Sequence, residues 1–182
     1  MFKQEKHAQR KDKSKKGSID PAIKTVVDYL NRFKDYFTTS SCSGRIVLLE
    51  RHKKKCDSRF LFCSHVPVKQ DVLWRAIKDC HAKLLWLKME PLIVHVRCRD
   101  VGSAAKLLHC TQGIGLKHSG ILSIRKRIVV EINGVEQLEA PIGTGISQGY
   151  AQELARAANE KLRRNRQRIR RLETALQSLP PC

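Results

Sequence analysis

The chain has 182 residues, and 36 Lys and Arg stand against 17 Asp and Glu, so its formal net charge is +19. An apolar fraction of 41% is ordinary for a globular protein and excludes disorder throughout the chain. No apolar run reaches the roughly 18 residues of a membrane span, and the charged start is not that of a secretory leader. Seven irregularly spaced cysteines without a CxxC pair favour free thiols. We therefore expect a cytoplasmic protein without membrane or metal partners.

The first predicted element is a helix over residues 21–34. Apolar residues recur there at helical spacing, and Asp20-Pro21 offers an N-cap followed by proline at the first helical position. The next stretch predicts two strands joined by a turn of small residues, with the strands at 36–39 and 46–49 and the turn at 40–44.

The middle of the chain predicts strands and helices in alternation. The expected strands are 60–66 and 92–98, the expected helices are 71–83 and 101–111, and the expected hairpin pairs 121–124 with 128–132. In the strand 92–98, an alternation of period two predicts His95 on the same face as Ile93.

The last predicted element is a long helix with one apolar and one basic face. Its apolar face runs from Tyr150 to Leu179, six arginines between 163 and 171 fill much of the rest, and Ser147 is its expected N-cap. Helices and strands mix without a linker between them, which predicts a single mixed α/β (α+β) domain over residues 1–182.

A glycine-rich stretch at 143–149 resembles a nucleotide-binding loop only superficially. A Rossmann fingerprint needs a strand directly before the glycines and an acidic residue about 20 positions later. Here Pro141 precedes the glycines, and the helix that follows is rich in arginine. The sequence therefore predicts a non-Rossmann fold.

The positive charge is concentrated in three segments, residues 1–17, 45–59 and 147–182, which together carry +14 of the +19. Lysine and arginine clusters of this kind bind polyanions, because each neutralised phosphate releases condensed counterions. A merely solvated surface is the alternative. Aromatic residues make up only 5% of the chain, which favours phosphate contacts over base stacking.

Three places in the sequence could carry chemistry. Residues 38–45 form the densest run of hydroxyl and thiol groups and end in Arg45, a guanidinium that could hold a carboxylate or a phosphate. A run of this kind is also compatible with a plain turn, and its spacing does not make Cys42 a nucleophile. The other two places also have structural interpretations: His95 could be a hydrogen-bonded core histidine, and Asp20 could be a helix cap.

Residues 38–45 nevertheless resemble the (S/T)xSSCxGR signature of the tRNA wybutosine-synthesizing protein 3 family. Three further blocks match this family in order: the basic N-terminal block at 12–20, the Glu-Pro-hydrophobic-His-Val block at 90–96 and the Ser-Gly-Ile turn at 118–121. The resemblance extends over nearly the whole chain.

This resemblance implies methyl transfer from S-adenosylmethionine to N4 of 7-(3-amino-3-carboxypropyl)-4-demethylwyosine, at position 37 in the anticodon region of tRNA(Phe). It also implies a non-Rossmann fold and an active centre built around the serine turn. The implied catalytic residues are Asp20, His95, Ser41 and Cys42, with Asp12 as a second candidate aspartate. The implied cofactor-binding residues are Ser40, Ser41, Gly44, Arg45 and Ser119.

Two roles follow as hypotheses from that chemistry. Methyl transfer requires alignment of donor and acceptor and removal of any proton that the acceptor nitrogen carries, and Asp20 or His95 could take that proton. Arg45 would hold the cofactor carboxylate or an anion of the substrate. The competing hypotheses are a non-catalytic, basic tRNA- or RNA-binding protein and a hydrolase that uses Cys42 with His95.

Overall fold

The computed structural model describes residues 19–52, 58–80, 85–143 and 145–178. These ranges form four helices: α1 (Pro21–Arg32), α2 (Gln70–Lys78), α3 (Val101–Gly113) and α4 (Gln148–Gln177). They also form eight strands: β1 (Tyr36–Cys42), β2 (Arg45–Glu50), β3 (Arg59–Ser64), β4 (Leu85–Glu90), β5 (Ile93–Cys98), β6 (Gly120–Ser123), β7 (Ile128–Asn133) and β8 (Leu138–Ile142). The predicted α+β class is confirmed. Among the described helices, none has the length and apolar character needed to cross a membrane.

The chain divides into two compact units. Of the described residues, 19–43, 92–135 and 166–178 belong to the first unit, and the others belong to the second. Each unit contains one four-stranded sheet, and every strand pairing described is antiparallel. The single domain over residues 1–182 stays a prediction.

In the first unit, the strand order is β1-β5-β7-β6. One face of this sheet is covered by apolar residues of α1, α3 and the last part of α4, among them Leu30, Leu107 and Leu172. The predicted cap of α1 is confirmed, because Ala22 N donates to Asp20 Oδ1 over 3.2 Å and Pro21 follows. The helix ends at Arg32, two residues before the predicted end, because Phe33 has an extended backbone.

The side chains of β5 alternate between the two faces of this sheet. Val94, Val96 and Cys98 are buried in the core, whereas Ile93, His95 and Arg97 alternate with them and are half-buried. The predicted face for His95 is therefore confirmed. The predicted hairpin is confirmed as well, since β6 and β7 are antiparallel neighbours.

In the second unit, the strand order is β3-β2-β4-β8, and the core includes Leu48, Leu73, Leu87 and Leu162. Two of these strands have no counterpart among the elements predicted from the sequence. In β4, Leu85, Leu87 and Met89 alternate with half-buried residues, a period-two pattern that lies just after the predicted helix 71–83. That helix ends at Lys78, and residues 81–84 lie outside the described ranges.

The other strand without a predicted counterpart is β8, which contains Pro141 and directly precedes Gly143. The expectation that no strand precedes these glycines is therefore wrong. Proline is tolerated here because β8 is an edge strand, where one missing N–H does not interrupt a ladder. Since β8 pairs antiparallel with β4, it does not form the parallel unit of a Rossmann fold.

Helix α4 contributes residues 148–165 to the second unit and 166–177 to the first. Ser147 caps it as predicted, because Tyr150 N donates to Ser147 Oγ over 3.2 Å. Leu179, Thr144 and residues 12–18 of the N-terminal block, with Asp12, lie outside the described residues.

Candidate active site

The predicted small-residue turn is shorter than expected. Ser40, Ser41 and Cys42 are the last residues of β1, and only Ser43 and Gly44 separate β1 from β2. Serine has little preference for strands, but pairing with β5 determines the backbone here: Ser40 lies opposite His95, Ser41 opposite Val94 and Cys42 opposite Ile93. The prediction of a turn at 40–42 is therefore wrong.

A β-bulge in β1 decides which side chain faces His95. Thr38 lies opposite Val96 and Ser40 lies opposite His95, so Thr39 is the extra residue between them. Without this bulge, Thr39 would occupy the position opposite His95. Thr39 Oγ1 instead donates to the backbone carbonyl of His95 over 3.3 Å, which ties the bulge to β5.

The bulge brings together a row of three polar side chains across β1, β5 and β7. Ser40 Oγ lies 2.7 Å from His95 Nδ1, and His95 Nε2 lies 2.9 Å from Glu131 Oε2. The three residues are direct cross-strand partners. An ionised carboxylate only accepts hydrogen bonds, so Nε2 of the ring donates to Glu131. In the neutral ring, Nδ1 then accepts the hydrogen bond of the Ser40 hydroxyl.

Glu131 is a functional candidate that was not predicted from the sequence. Its second oxygen, Oε1, accepts a hydrogen bond of 3.2 Å from Asn133 Nδ2. The side chains of His95 and Glu131 are 28% and 26% exposed, so the pair is accessible from solvent but partly shielded from it. A carboxylate within the apolar strand Ile-Val-Val-Glu-Ile was the signal that could have pointed to this residue.

Asp20 belongs to a second hydrogen-bonded group, with Ser43. The Ser43 hydroxyl donates to Asp20 Oδ2, and Arg166 Nη1 donates to the Ser43 carbonyl over 3.3 Å. Both Asp20 and Ser43 are buried. The Asp20 carboxylate therefore holds the start of α1 against the end of β1.

The remaining candidates of the first unit differ in position. Cys42 shares the sheet face of Ser40, and its thiol is half-buried; Ser41 is half-buried on the opposite face. Ser119 is buried, and its Oγ accepts the backbone N–H of Asn133 over 3.1 Å. Ser119 thus fixes the end of β7, the strand that carries Glu131.

Gly44 and Arg45 belong to the second unit. Gly44 has φ +89°, and a Cβ there would lie 2.6 Å from Asn165 Nδ2 and 2.9 Å from the Glu90 carbonyl oxygen, so the position requires glycine. Arg45 Nε donates to Glu90 Oε2 over 2.7 Å, and its guanidinium lies 4.7 Å from the centroid of the Phe60 ring. Both residues therefore have packing roles within this unit.

A cationic group lies on the same sheet face as His95. Arg97 follows His95 by two residues on β5, and its guanidinium lies 5.5 Å from the centroid of the Phe37 ring. Burial and the nearby charge of Arg127 lower the pKa of Arg97 below its ordinary value. The site is therefore electropositive beside the row of Ser40, His95 and Glu131.

Two of the three basic segments lie partly or wholly outside the described residues, namely 1–17 and part of 45–59. In the third, the arginines of α4 divide into two groups. Arg166 and Arg168 donate to backbone carbonyls of the first unit, whereas others, including Arg170 and Arg171, are exposed. The exposed arginines are available for phosphate groups.

Comparison with known proteins places these residues in a family. The family described as Methyltransferase TYW3 matches residues 2–178. A protein of Archaeoglobus fulgidus named tRNA(Phe) 7-((3-amino-3-carboxypropyl)-4-demethylwyosine(37)-N(4))-methyltransferase is 35% identical, over 98% of this chain and 93% of its own length. The tRNA wybutosine-synthesizing protein 3 homolog of Xenopus laevis is 33% identical, over 93% of this chain and 71% of its own length.

Solved structures agree with these relatives. The PH1069 protein of Pyrococcus horikoshii superposes with a TM-score of 0.83 at 32% identity, over 90% of this chain and 88% of that one. A hypothetical protein from Aeropyrum pernix superposes with a TM-score of 0.78 at 28% identity, over 90% of this chain and 100% of that one. The match in sequence spans almost the whole chain, and the fold agrees, so the chain belongs to the Methyltransferase TYW3 family.

Proposed function

We propose that this protein transfers a methyl group from S-adenosylmethionine to N4 of 7-(3-amino-3-carboxypropyl)-4-demethylwyosine, at position 37 beside the anticodon of tRNA(Phe), in the cytoplasm. The names of its relatives support this activity. The observation that carries the proposal is the hydrogen bond between Ser40, from the signature run, and His95, from the second matching block. It joins two family motifs in one polar group on an accessible sheet face.

Among the predicted cofactor ligands, the first criterion for a fit is an accessible donor. S-adenosylmethionine carries a carboxylate and ribose hydroxyls, and hydroxyl side chains suit both. Ser40 is exposed on the sheet face of His95, whereas Ser41 is half-buried on the opposite face, Ser119 is buried and Arg45 is paired with Glu90. By this criterion Ser40 fits best, and the cofactor would supply an electrophilic methyl group on a sulfonium sulfur. The assignments of Ser40, Ser41, Gly44, Arg45 and Ser119 to the cofactor stay predictions, as does the catalytic role of Cys42.

His95 fits the role of general base better than Asp20. The Asp20 carboxylate is buried and already accepts hydrogen bonds from Ser43 and from the first turn of α1. The His95 ring is partly exposed, and its Nδ1 faces the exposed side chain of Ser40. A neutral imidazole with an available lone pair can accept a proton near neutral pH.

The positive charge supports binding of an RNA substrate. Exposed arginines of α4 and the cationic Arg97 and Arg127 of the first unit are suited to phosphate groups. Since the anticodon loop is single-stranded, a base can be unstacked there at low cost and reach the sheet face.

A methyl-transfer assay tests the proposal. Purified protein, S-adenosylmethionine and tRNA(Phe) that carries the demethylwyosine intermediate should yield tRNA one methyl group heavier by mass spectrometry. His95→Ala should reduce the rate by about 10²- to 10⁴-fold, the usual loss for a general base. The matched control is His109→Ala, an exposed histidine on α3, which should act like wild type. No methylation by folded wild-type protein would contradict the proposal and leave the non-catalytic RNA-binding protein.

A further inference from the structure

We propose that Glu131 is a positioning residue for this methyl transfer, because its carboxylate fixes the tautomer of His95 and directs the lone pair of Nδ1 at Ser40. The inference rests on the proposed function, and it concerns a residue that none of the matching sequence motifs contains. Its basis is the hydrogen bond of 2.9 Å between His95 Nε2 and Glu131 Oε2.

A neutral imidazole has two tautomers, and only one of them is useful here. With the proton on Nδ1, the ring would present no acceptor toward Ser40, and its Nε2 lone pair would face a carboxylate. With the proton on Nε2, both contacts are hydrogen bonds, at 2.7 Å and 2.9 Å. Glu131 therefore selects the tautomer whose basic nitrogen faces the exposed side chain.

Glu131 also offsets the charge that forms during proton transfer. The groups that face the His95 ring are Ser40 from β1 and Glu131 from β7, with Arg97 on the same face of its own strand. The positive charge of Arg97 disfavours a second cation beside it. The Glu131 carboxylate lies 2.9 Å from Nε2 of the ring and stabilises the imidazolium, so the proton can be accepted.

The proton of the acceptor nitrogen would pass through Ser40 to His95. The N–H bond of the acceptor nitrogen breaks, and its proton passes to the Ser40 oxygen while the hydroxyl proton of Ser40 passes to His95 Nδ1. The nitrogen keeps the electron pair of that bond and forms its new bond to the methyl carbon, while the bond from that carbon to the sulfonium sulfur breaks and leaves its electron pair on the sulfur. Ser40 is regenerated, and the imidazolium later releases the proton to solvent.

Hydrogen bonds connect Glu131 to Ser119, a residue of the Ser-Gly-Ile turn that matches the family. Asn133 Nδ2 donates to Glu131 Oε1, and the backbone N–H of Asn133 donates to Ser119 Oγ. A buried serine thus anchors the strand end that orients the carboxylate. In this arrangement Ser119 acts on the base through Asn133 and Glu131.

The first test measures the tautomer directly. In uniformly ¹⁵N-labelled protein, long-range ¹H–¹⁵N correlations of His95 should show the proton on Nε2 in the wild type and a mixture of tautomers in Glu131→Ala. This readout needs neither substrate nor activity. An unchanged Nε2 tautomer in Glu131→Ala would overturn the proposal.

The second test separates kcat from KM. Glu131→Gln should lower kcat by about 10- to 100-fold, the usual effect of removing a group that orients a reactive residue, with KM for tRNA and cofactor unchanged. Glu131→Asp keeps the charge and should recover part of the rate. Glu139→Gln is the matched control, a half-exposed surface glutamate of β8. Melting curves of each variant confirm that the fold is kept.

The outcomes distinguish this inference from the proposed function. If the wild type methylates tRNA and Glu131→Gln turns over equally fast, Glu131 has no positioning role, and the proposed function stands. If the folded wild type does not methylate, the proposed function fails and the catalytic role of Glu131 fails with it.

Discussion

Ser40 Oγ and His95 Nδ1 lie 2.7 Å apart, although the two residues are 55 positions apart in the chain. Strand pairing creates this contact, since β1 and β5 are neighbours and the two residues are direct partners across them. Under the proposed function, the contact makes Ser40 the group through which His95 acts, whereas Ser41 lies on the opposite face of the sheet.

Ser40→Ala and Ser41→Ala should therefore differ in their effect on turnover. Removing the Ser40 hydroxyl interrupts the path to His95, so we expect a fall in kcat that Ser41→Ala, on the opposite sheet face, does not reproduce. Titration calorimetry with S-adenosylmethionine tests the predicted cofactor role of each hydroxyl, whose loss should weaken binding. Ser178→Ala, at an exposed residue just after α4, is the control for both measurements. An equal fall in kcat in the two serine variants would contradict the role of Ser40.

The exposed arginines of α4 should contribute to RNA affinity. Arg170→Ala combined with Arg171→Ala should weaken tRNA binding and reduce the slope of log K against log salt by about 1 for each phosphate that is no longer neutralised. Arg75→Ala removes another exposed arginine, from α2, and should leave this slope unchanged. Binding isotherms at several salt concentrations measure the effect, and an unchanged slope in the double variant would exclude this face from the tRNA interface.

Gly44→Ala should destabilise the second unit. A residue with a Cβ at φ +89° costs roughly 1–2 kcal/mol, and the contact with the Glu90 carbonyl oxygen adds to this. In Gly113→Ala, by contrast, the new Cβ has no neighbour within 4 Å, so stability should be kept. The midpoints of urea unfolding of the two variants measure the difference in stability. Equal midpoints would show that the backbone conformation at position 44 does not require glycine.

Asp100 should make the stability of α3 depend on pH in the acidic range. It caps this helix, and hydrogen bonds from the backbone N–H and hydroxyl of Ser103 and from Arg99 lower its pKa from 3.8 to about 2. Because the folded pKa is the lower one, the stabilisation is present above pH 3.8 and is lost as the pH falls toward 2. Asp100→Ala should lower the melting temperature near neutral pH, and the difference from wild type should shrink over this window. A difference that is constant with pH would contradict the assignment.

The thiols should differ in reactivity. Burial raises the pKa of Cys98 to about 12, and it raises that of Cys110 as well, so both stay protonated near neutral pH. Of the cysteines that the structure describes, Cys63 is the most exposed, so iodoacetamide should alkylate it before the others, as measured by peptide mass spectrometry. If Cys42 were a nucleophile activated by His95, it would react before Cys63, and this result would favour the hydrolase hypothesis.

Local patterns in the sequence were sufficient for the helices and for most of the strands. The cap at Asp20, the start of α4 at Ser147 and the alternation in β5 depend on neighbours in the chain, and the structure confirms them. Strand β8 was not predicted because an edge position, which only the sheet defines, makes Pro141 acceptable.

The candidate site was less predictable for the same physical reason. A family resemblance could single out Ser40 and His95, but the contact between them requires strand pairing and a bulge that no periodicity reveals. Glu131 was harder still to predict, because it lies on β7, which contacts β5 and not β1. Its isolation among apolar residues was the one local signal.

The bulge at Thr39 adds a residue to β1 without moving the residues of the site. Because Thr39 is the extra residue, a chain without it could pair Thr38 with Val96 and Ser40 with His95 in a regular ladder. Such a chain would lose the hydrogen bond from Thr39 Oγ1 to the His95 carbonyl and the local bend that a bulge introduces. An alignment gap at Thr39 is therefore compatible with the contact between Ser40 and His95.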